Sequence, residues 1–295
     1  VHNPWPDYEL LDFGGGRKLE RWGQTVVNRP APGATAPPHL GREQWKHADW
    51  TYAGDRVADG RWKSPTKTSP WTDEVDIPLT ASTTLRATLE RLPTGQVGLF
   101  PEQFANWQWI AQRVANKRLA KSTRPLRVLN LFGYTGGSTL AAAAAGAEVT
   151  HVDASRPAVN RARDNAVLSG LSDNPIRWIV EDAVKYAERE CRRGSRYDAV
   201  ILDPPSYGHG PKGESWQLVR DLPKLLAQCR RLTGESPAFL LLSCHTPGVG
   251  PAELSAYLSD GLVGHCGAPP RCYDLTLTAA DGRRLPSGIA ARWPA

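Results

Sequence analysis

The sequence predicts an α/β fold: a mostly parallel, doubly wound sheet ending in an antiparallel hairpin, preceded by a small β-rich domain. Three observations carry this. From Leu126 onward, short apolar runs alternate with helical stretches, the pattern of parallel strands joined by crossover helices. The first 95 residues differ in texture: they hold six of the eleven Trp, many Pro and Gly, and only short β-like runs. Near the C-terminus, two strand-like runs flank a turn at Asp281-Gly282. The change of texture divides the chain into an N-terminal β-rich domain, 1–95, and an α/β domain, 96–295.

In the first domain, residues 25–27 and 85–89 read as β-like runs between turn residues. In the second, residues 127–132 form an apolar run that reads as a buried strand, and 137–146, with five consecutive Ala, as a helix lying close on a sheet. Residues 148–153 read as the second strand. Ser155 is placed to cap the next helix and Pro157 to sit in its first turn, with Gly170 ending it. Residues 176–180 read as the third strand and 183–193 as a helix closing on basic residues before Gly194. A fourth strand is expected over 199–202, a helix bent at Pro223 over 214–232, and a fifth strand over 238–242. Runs 273–278 and 287–292 make the terminal hairpin.

Composition limits the function. Apolar residues at 40% and charged residues at 22% suit a soluble globular protein. No stretch approaches the roughly 18 apolar residues of a membrane span. The first residues lack the basic and apolar regions of a signal peptide. Cys191, Cys229, Cys244, Cys266 and Cys272 form no C-x-x-C pair, which argues against a disulfide framework or a zinc site and favours a reducing cytoplasm. The net charge of +6 lies wholly in residues 96–295, because 1–95 carry twelve bases and twelve acids. Arg113, Lys117, Arg118, Lys121, Arg124 and Arg127 form a run with no acid among them. It is either a solvated helix end and linker or a surface for a polyanion such as RNA.

In an open α/β sheet, ligands bind beyond the carboxyl ends of the strands. The first strand runs into Asn130-Leu131-Phe132-Gly133-Tyr134-Thr135-Gly136-Gly137. This loop is Gly-rich, but it is not the G-x-G-x-x-G that cradles a dinucleotide pyrophosphate, which disfavours an NAD-dependent oxidoreductase. Asp153 closes the second strand 20 residues after Gly133, where an acid can accept both hydroxyls of a ribose. Asp182 closes the third strand, as an adenine partner or as a helix cap. After the fourth strand stands Asp203-Pro204-Pro205-Ser206-Tyr207. Two prolines stiffen the backbone, so Asp203 and the Pro204 carbonyl can face an incoming base or amine as fixed acceptors, and Tyr207 can stack on a planar base.

These runs carry a resemblance. From about Gly98 to its end, the chain resembles class I S-adenosylmethionine-dependent methyltransferases of the bacterial large-subunit ribosomal RNA type. Its basis is Gly98-Leu99-Phe100-Pro101-Glu102-Gln103, the Asn130 to Gly136 loop, His151-Val152-Asp153-Ala154-Ser155, and the Asp203 to Tyr207 loop. Asp7-Tyr8-Glu9-Leu10-Leu11-Asp12 and Lys18-Leu19-Glu20-Arg21 are similar to a bacterial subgroup. The resemblance implies a Rossmann-like methyltransferase sheet, S-adenosylmethionine as cofactor, no metal, and a cytoplasmic enzyme that methylates a base of ribosomal RNA. It implies that Phe100, Gln103 and Asn106 hold the cofactor from before the first strand. Asn130, Phe132, Tyr134, Thr135, Gly136, Asp153, Ala154, Ser155, Asp182, Ala183 and Asp203 would surround it. Asp203, Pro204 and Tyr207 would face the methyl acceptor. Residues 1–95 do not resemble the compact PUA-type RNA-binding domain of better-studied members. A small-molecule or protein acceptor, or a module that binds without catalysis, therefore stays open.

Cys244, in Ser243-Cys244-His245, has two readings. It occupies the place of the catalytic cysteine in the family's cytosine C5 enzymes, where a thiolate adds to C6 and turns the ring into a nucleophile. It also suits a small buried residue at a strand end, the reading favoured here.

Overall fold

The computed structural model describes residues 5–54, 59–119, 124–210, 213–234, 236–263 and 269–294. The chain forms two compact units. The first comprises Val1–Phe104 and Thr276–Ser287, and the second Ala105–Leu275 and Gly288–Ala295.

The first unit is β-rich. Strands β1 (Tyr8–Gly14), β2 (Arg17–Trp22) and β3 (Thr25–Pro30) make an antiparallel meander. Gly15 and Gly16, at φ 57° and 76°, turn β1 into β2 in a conformation that L side chains resist. After the short helix α1 (Arg42–Lys46), strands β4 (Trp50–Ala53) and β5 (Arg61–Lys63) complete a sheet ordered β1-β2-β3-β4-β5. Strands β6 (Glu74–Thr80) and β7 (Thr83–Thr88) form a separate hairpin. Aromatic packing contributes to the core, with Trp5 stacked on Phe104 at 5.3 Å and the Tyr8 ring tilted against Trp22 at 4.6 Å. Glu20 is fully buried. It pairs with Arg29 and Lys18 and accepts from Tyr8, and despite its burial these two cations bring its carboxyl down to about 2.

The second unit carries the large sheet. It holds most of α2 (Phe104–Leu119), then β8 (Arg127–Leu131), α3 (Gly137–Ala144), β9 (Glu148–Asp153), α4 (Arg156–Leu168), β10 (Ile176–Val180) and α5 (Ala183–Arg192). There follow β11 (Ala199–Leu202), the small hairpin β12 (Tyr207–His209) and β13 (Ser215–Gln217), α6 (Leu218–Thr233), β14 (Phe239–Cys244) and α7 (Pro251–Leu258). Strands β15 (Arg271–Thr278) and β16 (Arg284–Trp293) close the chain. The sheet order is β10-β9-β8-β11-β14-β16-β15. Its first five strands are parallel, and β16 runs antiparallel to β14. The α/β class, the parallel core and the antiparallel C-terminal hairpin follow the sequence expectation.

Three details differ from it. Residues 215–217 are not helical; Ser215–Gln217 pairs with Tyr207–His209, so α6 begins only at Leu218. The fifth strand runs on through Ser243 and Cys244, because these pair with Ala290 and Ile289. The helix α7 was not anticipated; Pro251 occupies its first position, and Glu253 reaches back to accept the Gly250 N–H at 3.1 Å. Three side chains of the basic run are described, each with its own contacts. Arg124 forks onto Asp198 at 2.6 and 2.9 Å, and Arg113 donates to the Pro294 carbonyl at 3.0 Å. Arg127 lies over the Tyr197 ring at 5.4 Å. Lys121 and the side chains of Lys117 and Arg118 lie outside the described residues. Cys191, Cys229, Cys244 and Cys272 are free thiols, and Cys266 lies outside the described residues. Among the described residues, no helix is long and apolar enough to cross a membrane, and no His/Cys/Asp/Glu group is placed to hold a metal ion.

Candidate active site

The register of β8 to β11 aligns their carboxyl ends. Leu131 pairs with Val152 on one side and Leu202 on the other, and Asp153 pairs with Val180. The loops that follow therefore emerge together along one edge. The order reverses at β8, with β9 on one side and β11 on the other, which opens the crevice where such sheets take ligands.

The turn from β8 to α3 is tightly built. Phe132 and Tyr134 both adopt left-handed conformations, at φ 59° and 48°, although neither is Gly. A Cβ at Gly133 would stand 2.5 Å from the His151 ring, and one at Gly137 would stand 2.6 Å from the Trp107 indole. Thr135 is held from below, its carbonyl accepting from the buried Asn165 side chain at 3.0 Å. Asn130 lies beneath the turn rather than in it. It donates to Thr139 at 2.8 Å, and Thr139 shares a proton with His151 Nδ1 at 2.9 Å. Burial brings His151 down to about 3, so its ring is neutral.

Asp153 ends β9 facing this turn. One carboxylate oxygen accepts the Tyr134 N–H at 2.9 Å and the other the Ser155 N–H at 2.8 Å. Each oxygen accepts two hydrogen bonds, so the group retains capacity for two hydroxyls. Burial raises its pKa, and the two N–H groups pull against that. Ala154 follows, half-buried, and Ser155 caps α4 through the Ala158 N–H. Asp182 caps α5 by accepting the Lys185 N–H at 2.9 Å, with Ala183 buried behind it.

Asp203 ends β11, on the other side of β8 from Asp153. Its Oδ1 accepts the Ser243 hydroxyl at 2.5 Å and lies 3.3 Å from His245 Nε2. Pro204 is buried, while Tyr207 is 73% exposed, the most exposed of the large apolar side chains. Trp216 braces the loop by donating to the Pro205 carbonyl at 2.7 Å and packing on Phe132 at 4.9 Å. Thr246 donates to the Ser206 hydroxyl at 2.9 Å. Cys244 is not beside them. Alternation along β14 points Ser243 at Asp203 and Cys244 into the core, where it is 1% exposed and takes the Thr246 N–H on its sulfur at 3.4 Å.

Three expected residues lie before β8. Phe100 and the buried Gln103 belong to the first unit. Asn106 belongs to the second; it is fully buried, and its Oδ1 takes both Nε and Nη2 of Arg292, at 2.9 and 2.6 Å. Sequence reasoning missed Trp216 and the Ser243–Asp203 bond. The first looked like a helical residue, and the second depends on the register between β11 and β14.

The glycine turn, with a carboxylate beside it that keeps spare acceptor capacity, fits an adenosine without a pyrophosphate. A model of the S-adenosylmethionine-dependent methyltransferase family matches residues 75–260, more than half of the chain. The chain belongs to that family. A solved S-adenosylmethionine-dependent methyltransferase from Agrobacterium tumefaciens is similar to this methyltransferase, at 37% identity and a TM-score of 0.85 over 99% of this chain and 91% of that one. A candidate methyltransferase structure from Streptococcus mutans shares the fold, with a TM-score of 0.70 at 17% identity over 99% and 76% of the two chains. Among curated proteins, the ribosomal RNA large subunit methyltransferase I of Aeromonas salmonicida is 38% identical over 100 residues, 34% of this methyltransferase and 25% of that protein. The ribosomal RNA large subunit methyltransferase K/L of Shewanella baltica is 33% identical over 132 residues, 43% and 18% of the respective chains. The matches thus span a quarter or less of those relatives' own length.

Proposed function

We propose that this methyltransferase modifies a nitrogen of a base in large-subunit ribosomal RNA. The observation that carries the reading is the shared edge: Asp153 beside the glycine turn and the Asp203 loop on the other side of β8, across the switch point of the sheet. When bound, S-adenosylmethionine supplies an electrophilic methyl on its sulfonium. Asp153 accepts the ribose hydroxyls, and Asp182 faces the adenine. Phe132, Tyr134, Thr135 and Gly136 line the cofactor from the turn, with Ala154, Ser155 and Ala183 at the two helix starts. Asn106 and Asn130, in the same unit, belong to the set the resemblance implies. Asp203 and the Pro204 carbonyl orient the acceptor amine for in-line attack, and Tyr207 offers a face for the base. The protein contributes positioning and fixed acceptors. An exocyclic amine brings its own lone pair, so it needs no thiolate, which agrees with a Cys244 buried in the strand. The names of the curated relatives and the net charge of +6 support an RNA acceptor. We further propose that the chain divides near residue 95 into an N-terminal β-rich domain and the methyltransferase domain.

The test supplies purified protein with methyl-labelled cofactor and total RNA from a strain lacking the gene. Label in a large-subunit ribosomal RNA base, lost in Asp203→Ala while cofactor affinity stays within a few fold, is the expected result. Label confined to protein or to small molecules overturns the RNA reading.

A further inference from the structure

We infer that His245 is a positioning residue for methyl transfer: it holds the Asp203 carboxylate in place and makes that carboxylate's strength as an acceptor depend on pH. The inference rests on reading Asp203 as the group that faces the methyl acceptor.

Two adjacent parallel strands set up the contact. Leu202 pairs with Leu242, so the chain leaves β11 at Asp203 where β14 presents Ser243 and His245 follows just past its end. Ser243 Oγ and His245 Nε2 converge on one oxygen, Asp203 Oδ1, at 2.5 and 3.3 Å. The His245 and Asp203 side chains are 33% and 31% exposed, so the pair lies at the open edge of the sheet and not in its core. A third strand makes room for the ring. A Cβ on Gly288 of β16 would stand 2.6 Å from His245 Nδ1 and 2.8 Å from the Cys244 carbonyl oxygen. Gly288 also has φ 127°, which side chains resist. The imidazole therefore rests on a glycine backbone with its other edge turned to Asp203.

The chemistry follows from charge. Methyl transfer to an amine builds positive charge on its N–H, and an anionic acceptor stabilises that charge more than a neutralised one does. A neutral imidazole donating from Nε2 fixes the carboxylate and leaves its charge intact. An imidazolium in the same place cancels it. Asp203, on the β11 loop, is a charged neighbour of His245. Ser243 donates to the same Asp203 oxygen, and β16 brings the Gly288 backbone against the ring. As classes, imidazoles titrate near about 6.5 and carboxylates near about 4. A rate that falls on acidification in the imidazole range thus reports His245.

The experiment measures single-turnover methyl transfer from labelled S-adenosylmethionine to ribosomal RNA, from about pH 5.5 to about pH 9. The wild type should lose rate as pH falls through the imidazole range. His245→Gln keeps a donor for Asp203 but cannot become charged. It should lose only about threefold at high pH and show no acidic limb. His245→Ala should lose about tenfold or more at every pH, with KM for S-adenosylmethionine within twofold of the wild type. A wild-type rate in His245→Ala, or an unchanged acidic limb in His245→Gln, overturns the inference. Absence of wild-type transfer to any RNA instead overturns the proposed acceptor. NMR titration of the imidazole then decides alone. The His245 midpoint should move in Asp203→Asn, and a midpoint that stays put overturns the inference.

Discussion

Asp153 carries a carboxyl in a place where burial opposes its charge. Burial raises its pKa, against the pull of the Ser155 and Tyr134 N–H groups. For a carboxyl raised on folding, the stabilising contribution is full below about pH 4, the ordinary carboxylate value, and is lost as pH rises through the raised value. The cofactor-free protein should therefore lose stability over that window, while affinity for S-adenosylmethionine climbs, since ribose hydroxyls need the anion. Asp153→Ala should fold and bind the cofactor more weakly by about 1.5–3 kcal/mol, the worth of charge-assisted hydrogen bonds. Calorimetry giving wild-type affinity in a folded variant contradicts the assignment. Cys244 supplies the complementary test. Its sulfur faces the core at 1% exposure, so Cys244→Ser should keep most activity at a small cost in stability. An RNA carrying 5-fluorocytosine should form no covalent adduct with the wild type. An inactive variant that folds and still binds cofactor points to carbon methylation instead.

At the level of elements, the turn between β8 and α3 concentrates the constraints. Left-handed Phe132 and Tyr134 cost roughly 1–2 kcal/mol each, and the buried Asn130–Thr139–His151 chain beneath them holds the turn in that shape. His151 is neutral, with its pKa lowered by burial to about 3. Below about pH 6.5 the unfolded chain takes up a proton that the folded ring refuses, so this stability is present above that pH and lost as pH falls toward the folded value. Denaturation at successive pH values should show up to about 1.4 kcal/mol lost per pH unit, and His151→Gln should flatten the slope by one proton's worth. A slope that survives the substitution assigns the proton uptake elsewhere.

The same turn shows what the sequence can reveal. Strands β9, β10 and β11 match the expected runs 148–153, 176–180 and 199–202, because apolar periodicity and Gly or Pro punctuation fix them locally. Ser155 caps α4 as its position before Pro157 required. The residues that escaped are those whose role another strand decides. Ser215–Gln217 looks helical until Tyr207–His209 pairs with it. Ser243 looks like a strand end until its register with β11 brings it to Asp203. Asn106, which the resemblance assigns to the cofactor, also offers its Oδ1 to Arg292 from the far end of the chain, a pairing that no local pattern signals.

At the scale of the whole molecule, the β-rich unit is closed by a distant piece of chain. Residues Thr276–Ser287 belong to it, with Ala280 N–H donating to Leu10 O at 3.1 Å and Arg283 reaching the buried Asp12. Burial alone would raise Asp12, but the N–H groups of Leu40, Trp45 and His39, together with Arg283, hold its carboxyl below its usual range. Arg283→Ala removes the cation from a buried carboxylate and should cost about 3 kcal/mol in thermal or chemical unfolding. An unchanged transition would show that the N–H donors suffice. The central claim, that one edge of the parallel sheet holds the cofactor on Asp153 and presents Asp203 to the acceptor, is open to a single direct measurement. A crystal structure of the protein with S-adenosylhomocysteine should show the Asp153 carboxylate within hydrogen-bond distance of both ribose hydroxyls and the ligand sulfur facing the Asp203 loop. A ligand bound away from the β8–β11 edge, or a ribose that Asp153 does not touch, contradicts the account.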